Sequence, residues 1–150
     1  MIRSMSGEEL GRRVQQAIPG CVEEWRGADL WVKPETVRDV CSFLAQTPGL
    51  EFNLLNSISA VDYVEYFEVV YHVTSTVHRH SAVLKARVFG REAPSLPSVV
   101  GVWRGADLQE REIWDLMGVA FAGHPNLKRI LLWEGYSGHP LRRDYLEPPR

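Results

Sequence analysis

Cysteine is scarce in this chain: Cys21 and Cys41 are the two among 150 residues, far apart and without Cys-x-x-Cys or Cys-x-His spacing. The chain therefore cannot by itself hold an ordinary iron–sulfur cluster, and both residues read as small apolar side chains of a reducing compartment. No apolar run approaches the roughly 20 residues that span a bilayer. Residues 1–9 bring Glu8 and Glu9 where a signal peptide would carry its apolar core. An excess of one charge is missing as well, since 17 Lys and Arg stand against 19 Asp and Glu for a formal net charge of −2. That balance gives no general pull toward nucleic acid or an acidic membrane. There is no Gly-x-Ser-x-Gly elbow, no Gly-x-Gly-x-x-Gly after a strand and no Walker-type Gly-Lys-Ser/Thr. We expect no catalytic residue, no cofactor site and no metal site in this chain.

What is present suits one globular body. At 45% hydrophobic, a domain of this length buries roughly 68–70% of its unfolded surface and holds a core without staples. Ser6 and Glu9 form a capping-box start, and Leu10, Val14, Ala17 and Ile18 share one helical face before Pro19-Gly20. Residues 21–25 and 30–33 read as a hairpin around Arg26-Gly27-Ala28-Asp29. Pro34 opens a second helix that buries Val37, Val40, Cys41 and Leu44 and stops at Thr47-Pro48-Gly49. Residues 54–63 fit either a helical turn or a strand. Residues 67–76 and 81–89 are rich in Val, Tyr, Thr and Phe and predict an antiparallel pair, with His78-Arg79-His80 as an exposed turn.

Residues 93–97 read as a loop, and residues 106–117 as a third helix ending at Gly118. Thereafter Gly123, Pro125, Gly135, Gly138 and Pro140 recur too often for a long element. The expected class is α+β, a mostly antiparallel sheet with about three helices followed by an extended, turn-rich C-terminal segment. Residues 1–118 form the domain; residues 119–150 form a docking segment, not an independent domain. Such a segment must satisfy its backbone elsewhere on the domain or on another chain. The hexapeptide Trp-Arg-Gly-Ala-Asp-Leu occurs at 25–30 and again at 103–108, but its flanks do not align and we read coincidence.

The five histidines are His72, His78, His80, His124 and His139. His78 and His80 would need further ligands to hold zinc. His124 and His139 each sit in Gly-His-Pro, where the ring can plug a groove and donate a hydrogen bond; we favour that structural or interface role over acid–base work. On a helix Glu112 and Asp115 share a face whereas Glu110 and Glu112 do not. So much charge in one turn, beside Trp114, Leu116 and Met117, reads as an interchain ion-pair cluster rather than a solvated face.

The densest stretch carries a family resemblance. Glu110-Arg111-Glu112, two residues, Asp115-Leu116-Met117, six residues, His124, three residues, then Lys128, Arg129, Ile130 and Leu131 resembles the signature of the 30 kDa subunit of respiratory complex I. The same kind of subunit occurs in bacterial NADH-quinone oxidoreductase and in the chloroplast and cyanobacterial enzyme. The run Gly138-His139-Pro140-Leu141-Arg142-Arg143-Asp144-Tyr145 and the stretch Ala60-Val61-Asp62-Tyr63 are similar to it too. Unlike many members, the sequence stops soon after Asp144-Tyr145, at Glu147-Pro148-Pro149-Arg150.

The resemblance implies a non-catalytic subunit in the peripheral arm of the proton-translocating enzyme, which passes electrons from NADH to quinone. It implies packing against the 49 kDa quinone-site subunit and the iron–sulfur subunits. FMN and the iron–sulfur clusters would lie in those partners, none in this chain. The place implied is the cytoplasmic side of the cell membrane, or the stromal or cytoplasmic side of a thylakoid, held there through the complex. Arg111, Arg129, Arg142 and Arg143 offer planar forks for carboxylates, and Trp114, Trp133 and Tyr136 are apolar anchors. With Glu110, Glu112, Asp115, His124, Lys128, His139 and Asp144 they form the expected partner-contact set. Substituting Arg111 or Arg142 is expected to weaken assembly more than it lowers the melting temperature of the isolated chain. Two other readings stay open: the equivalent subunit of a membrane-bound hydrogenase or other-donor dehydrogenase, and a free-standing metal-dependent hydrolase using His78, His80, His124 or His139.

Overall fold

The computed structural model describes residues 1–147. Along the chain, β1 (Arg3–Ser4), α1 (Gly7–Ala17), β2 (Val22–Arg26) and β3 (Asp29–Val32) are followed by a 3-10 turn at Pro34–Thr36 that runs into α2 (Val37–Gln46). Then come β4 (Leu54–Asp62), β5 (Phe67–Ser75), β6 (His80–Val88), β7 (Ser95–Pro97), α3 (Ala106–Met117) and β8 (Ala120–Ala122). The class is α+β. Strand order in the main sheet is β2-β3-β6-β5-β4, and β1 adds to β6. Hairpin neighbours pair antiparallel, while β1 and β3 both run parallel to β6.

Local chemistry sets each boundary. The Ser6 hydroxyl accepts the Glu9 N–H at 3.1 Å and starts α1. Leu10 and Val14 are buried on its inner face, whereas Ala17 is exposed and Ile18 takes the half-buried place beyond it. Gly7 and Gly11 let α1 press on the hairpin: a Cβ would stand 2.2 Å from the Asp29 carbonyl oxygen at Gly7 and 2.8 Å from the Trp25 ring at Gly11. Residues 54–62 resolve as strand, with an irregularity between Leu55 and Ser57. The core joins α1 and α2 to Leu30, Val32, Phe67, Val69, Tyr71, Leu84 and Ala86 of the sheet. On the opposite face Lys85 pairs with Asp29 at 3.1 Å, Arg87 with Glu24, and the Trp31 indole donates to Glu68 at 2.7 Å. Cation stems roof Trp31 there, so that face presents charge to solvent.

Two expectations are corrected. Within the expected loop at 93–97, β7 pairs in parallel with β8. The loop before α3 and the segment after it have to be stitched together, and this ribbon does so with the Ala120 N–H on the Pro94 carbonyl at 2.9 Å and the Ser98 N–H on the Ala122 carbonyl at 2.8 Å. His80 is no exposed turn residue either. It opens β6, is buried, lies tilted against the Phe52 ring with centroids 4.7 Å apart and meets the Leu50 carbonyl oxygen at 3.0 Å. His78 does stay in the turn, 3.0 Å from Glu51. The repeated hexapeptide adopts two structures, a strand-turn-strand at 25–30 and a turn entering α3 at 103–108.

α3 runs along the open side of β4, where the Gln109 side-chain oxygen accepts the Ile58 N–H at 2.6 Å. A helix laid there shields part of a sheet edge that would otherwise offer free backbone groups. Gly118 ends α3 in the left-handed region at φ 73°. Val119 and Phe121 are still buried in the core, so the packed body continues through β8. Residues 123–147 then run as turns and extended pieces across α3.

Candidate functional site

The charged segment and the tail meet around α3. Asp115 is 0% exposed. Its carboxylate accepts an N–H of the Arg129 guanidinium at 2.9 Å and the backbone N–H groups of Ile130, Leu131 and Leu132 at 3.1, 2.7 and 2.9 Å. Burial alone would push that carboxyl up, but the Arg129 fork and the three N–H groups outweigh it and hold the pKa below its ordinary value. Arg129 also donates to the carbonyl oxygens of Asp115, Tyr136 and Gly138 at 2.9, 2.8 and 2.7 Å. One buried carboxylate and one planar fork thus close the chain from 129 to 138 into a loop.

The other arginines behave alike. Arg111 donates to the carbonyl oxygens of Lys128 and Arg129 at 3.2 and 3.1 Å. Arg142 donates to those of Met117, Arg91 and Gly118 at 2.6, 2.8 and 3.3 Å. The carbonyls of Met117, Gly118, Lys128 and Arg129 sit at the end of α3 and in the tail, and that of Arg91 in the loop after β6, where no helix or strand partner exists. Buried backbone acceptors without partners are expensive, and the guanidinium groups satisfy them.

The two Gly-His-Pro histidines clasp α3 at opposite ends. The His124 Nδ1 accepts the Asn126 N–H at 2.9 Å, so its Nε2 carries the proton and donates to the Asp107 carbonyl at 3.1 Å, with the Asp107 carboxylate 3.0 Å away. The His139 Nδ1 donates to the Asp115 carbonyl at 2.9 Å, and its ring lies 5.2 Å from that of Trp114. Burial lowers the pKa of His139, with Arg129 and Arg142 adding to the effect against the Asp115 carbonyl. Ring as plug and donor is the role the sequence suggests for both.

Glu110 is 0% exposed and faces inward. Ser98 donates its hydroxyl to it at 2.5 Å and Val99 its N–H at 2.9 Å. Burial raises its pKa against those two donors. Asp115 and Glu110 of α3 are therefore satisfied within the chain: Arg129 of the tail supplies the counter-charge of Asp115, and Ser98 and Val99 supply the donors of Glu110. Among the described residues, Glu112 and Lys128 are exposed and form no ion pair.

Sequence reasoning missed Asp62 and Arg91. Arg91 grips the buried Asp62 with both Nη atoms at 2.6 and 2.8 Å and reaches Asp144 at 3.0 Å, while the Arg143 N–H donates to Asp62 at 2.9 Å. The Arg91 hydrogen bonds hold the Asp62 carboxyl far below the usual range despite burial. The Ala60-Val61-Asp62-Tyr63 stretch was the available signal, but nothing in it names its partner. Trp133 packs edge-on to Tyr136 with ring centroids 6.3 Å apart, and the Tyr136 and Tyr145 hydroxyls are 2.7 Å apart. Trp133 is nonetheless 70% exposed, and Leu131, Leu141 and Leu146 are exposed with it. Among the described residues no group of three or more His, Cys, Asp and Glu could hold a metal, and no helix is long and apolar enough to cross a membrane.

Fold and site together define an α+β domain carrying a C-terminal strap that its own arginines fasten, with bare aromatic and aliphatic side chains on the strap. The chain belongs to the respiratory-chain NADH dehydrogenase 30 Kd subunit family, whose model matches residues 30–149. It is similar to a NADH-quinone oxidoreductase subunit of Rhizobium etli (strain CIAT 652), 44% identical over 123 residues that cover 79% of this chain and 65% of that protein. It is 43% identical over 139 residues to a NADH-quinone oxidoreductase subunit of Roseiflexus sp. (strain RS-1), covering 88% and 79%. The chain thus spans just under two thirds of the Rhizobium protein and more of the Roseiflexus one. A chain of the membrane-bound sulfane sulfur reductase, an archaeal respiratory membrane complex, superposes with a TM-score of 0.71 at 27% identity, covering 93% of this chain and 85% of that one.

Proposed function

We propose that the chain is a structural subunit of the peripheral arm of a proton-translocating NADH-quinone oxidoreductase, docked on the 49 kDa quinone-site subunit. FMN and iron–sulfur clusters belong to its partners, and the chain sits on the cytoplasmic side of the membrane, held by the complex. The observation that carries this is the contrast within the strap: Asp115, Arg129, Arg111 and Arg142 are engaged inside the chain, while Leu131, Trp133, Leu141 and Leu146 stay exposed. Ordering a residue costs roughly 1–2 kcal/mol of backbone entropy. Intrachain clasps meet that cost in advance, so a partner finds a preformed surface of aromatic and aliphatic anchors.

The role is positional. Electron transfer and quinone reduction need fixed geometry between partner chains, and a domain with a fastened strap supplies a rigid joint. The Arg143 and Asp144 side chains, Lys128 and Glu112 are the exposed charges that would frame the contact. A second reading is favoured by the likeness to the sulfane sulfur reductase chain: the equivalent subunit of a respiratory membrane complex with another electron donor or acceptor. Isolating this chain from gently solubilised membranes and identifying what accompanies it separates the two. Co-isolation of an NADH- and flavin-binding module supports the first; a quinone-site homologue without that module supports the second. A chain recovered alone from membranes that contain an intact complex contradicts both.

A further inference from the structure

The strap leaves one stretch of β4 uncovered. Ile58 turns its N–H away from β5 toward Gln109 at 2.6 Å, while the rung at the turn end of the hairpin is Tyr63 on the Tyr66 carbonyl at 2.9 Å. With the two-residue period of an antiparallel strand, the Ala60 N–H and C=O therefore point to the open side, as those of Ile58 do. No partner for the Ala60 N–H occurs among the described residues. Beside it lies a hollow of about 220 Å³ lined by Ile58, Ala60, Ile113, Leu116 and Leu141, with Glu112 on its wall. Leu141 is 58% exposed there.

We propose that this hollow receives a short extended segment of a partner chain, which adds a rung to β4 at Ala60, seats one apolar side chain against Leu116 and Leu141, and meets Glu112 with a Lys or Arg. Three complementarities on one site specify the occupant. The outward backbone pair of Ala60 selects an extended strand, because only a backbone in that conformation answers an N–H and a C=O on one edge. The hollow is apolar and sized for a side chain. Glu112 is a carboxylate without an ion-pair partner among the described residues, so the matching charge is positive. Leu141 belongs to the strap, which makes the site continuous with the docking surface proposed above. The inference rests on that reading, naming the shape and chemistry of one contact within it.

The test uses the full chain expressed in cells that assemble the complex. Ala60→Pro removes an outward N–H that holds nothing in the sheet, and edge positions of this kind tolerate proline. Glu112→Lys reverses the wall charge. Both variants are expected to melt within about 2 °C of the parent chain alone, because neither removes a sheet hydrogen bond or a clasp. Each is expected to lower recovery of the chain with the complex at least tenfold, and the Ala60 amide is expected to exchange at least tenfold more slowly in the complex than in the free chain. If the parent chain and both variants co-purify equally and the Ala60 amide stays unprotected in the complex, the strand contact is wrong while the docking reading stands. If the parent chain itself does not enter a complex, the docking reading is what fails. Should Ala60→Pro unfold the free chain, Glu112→Lys and amide exchange on the parent protein still decide.

Discussion

Arg129 and Asp115 complete each other: the buried carboxylate takes the guanidinium at 2.9 Å, and the same fork reaches the Tyr136 and Gly138 carbonyls from the far side. Removing one member of a buried, hydrogen-bonded pair leaves an uncompensated charge and costs about 3–5 kcal/mol. Arg129→Ala is expected to lose that much in urea denaturation. Arg129→Lys is expected to recover less than half, because a compact ammonium cannot bridge a carboxylate and two carbonyls at fixed angles. A lysine variant as stable as the parent would show that charge alone holds the strap.

Asp62 predicts the acid limb of stability. Arg91 holds its folded pKa far below the ordinary value, so on acidification the unfolded chain takes up the proton first. The stabilisation is complete above the unfolded carboxylate pKa of about 3.9 and is lost as pH falls through the folded one. Asp115 acts in the same direction. Glu110, raised by burial, acts in the opposite one, its contribution shrinking as pH rises through the range just above its ordinary value. Asp62→Asn is expected to be less stable at pH 7 and to show a shallower decline between pH 4 and 2. Parallel curves for parent and variant would remove Asp62 from the account.

How much of this was readable beforehand depended on range. Ser6, Pro34 and Gly118 act on their own helix ends through hydrogen bonds or backbone angles within a few residues, so their elements follow from the sequence. The β7–β8 ribbon does not, since Leu96 and Phe121 become neighbours only after α3 has folded between them. The clasps fail for the same reason. Nothing local tells that Asp115 will meet Arg129, or that Arg91 will reach both Asp62 and Asp144. Charge density was legible; whether the counter-charge lay in this chain or another was not. The expectation for Arg111 and Arg142 changes accordingly, because their forks sit on carbonyls of this chain and their loss should lower its own stability first.

His139 predicts a second, milder pH response. Burial lowers its folded pKa, so its contribution is present above the unfolded histidine value of about 6.5 and is lost as pH falls below it. Trp114, with its ring 5.2 Å away, reports on the event. Between pH 7.5 and 5.5 the parent is expected to lose melting temperature and shift its tryptophan emission. His139→Asn, whose amide nitrogen takes the place of the donating Nδ1, is expected to be flat across that window. An equal slope in the variant would assign the response to another group.

Gly118 is expected to be unusually intolerant. Its φ is 73°, and a Cβ there would stand 2.5 Å from the His139 ring and 2.7 Å from an Arg142 nitrogen. The left-handed backbone alone makes Gly→Ala unfavourable by about 1 kcal/mol. Displacing the ring and fork adds to that and frees the strap, so tryptic cleavage after Arg142 or Arg143 should accelerate well before the body unfolds. Cleavage at the parent rate would show that strap and helix end are not coupled.

Trp133 separates folding from assembly. It is 70% exposed and touches its own chain through Gly135, over which its ring lies, and Tyr136, so Trp133→Ala is expected to change the free chain's stability by no more than about 0.5 kcal/mol. Large aromatic anchors dominate interfaces, and truncating one at the centre of a contact costs about 2 kcal/mol or more. At that size the affinity for the partner complex falls at least about 30-fold. Measuring both quantities on one variant is decisive because the alternatives move them differently. An ordinary surface tryptophan changes neither, and a hidden structural one lowers stability together with binding. Only a residue kept bare for a partner loses binding while the free chain melts as before.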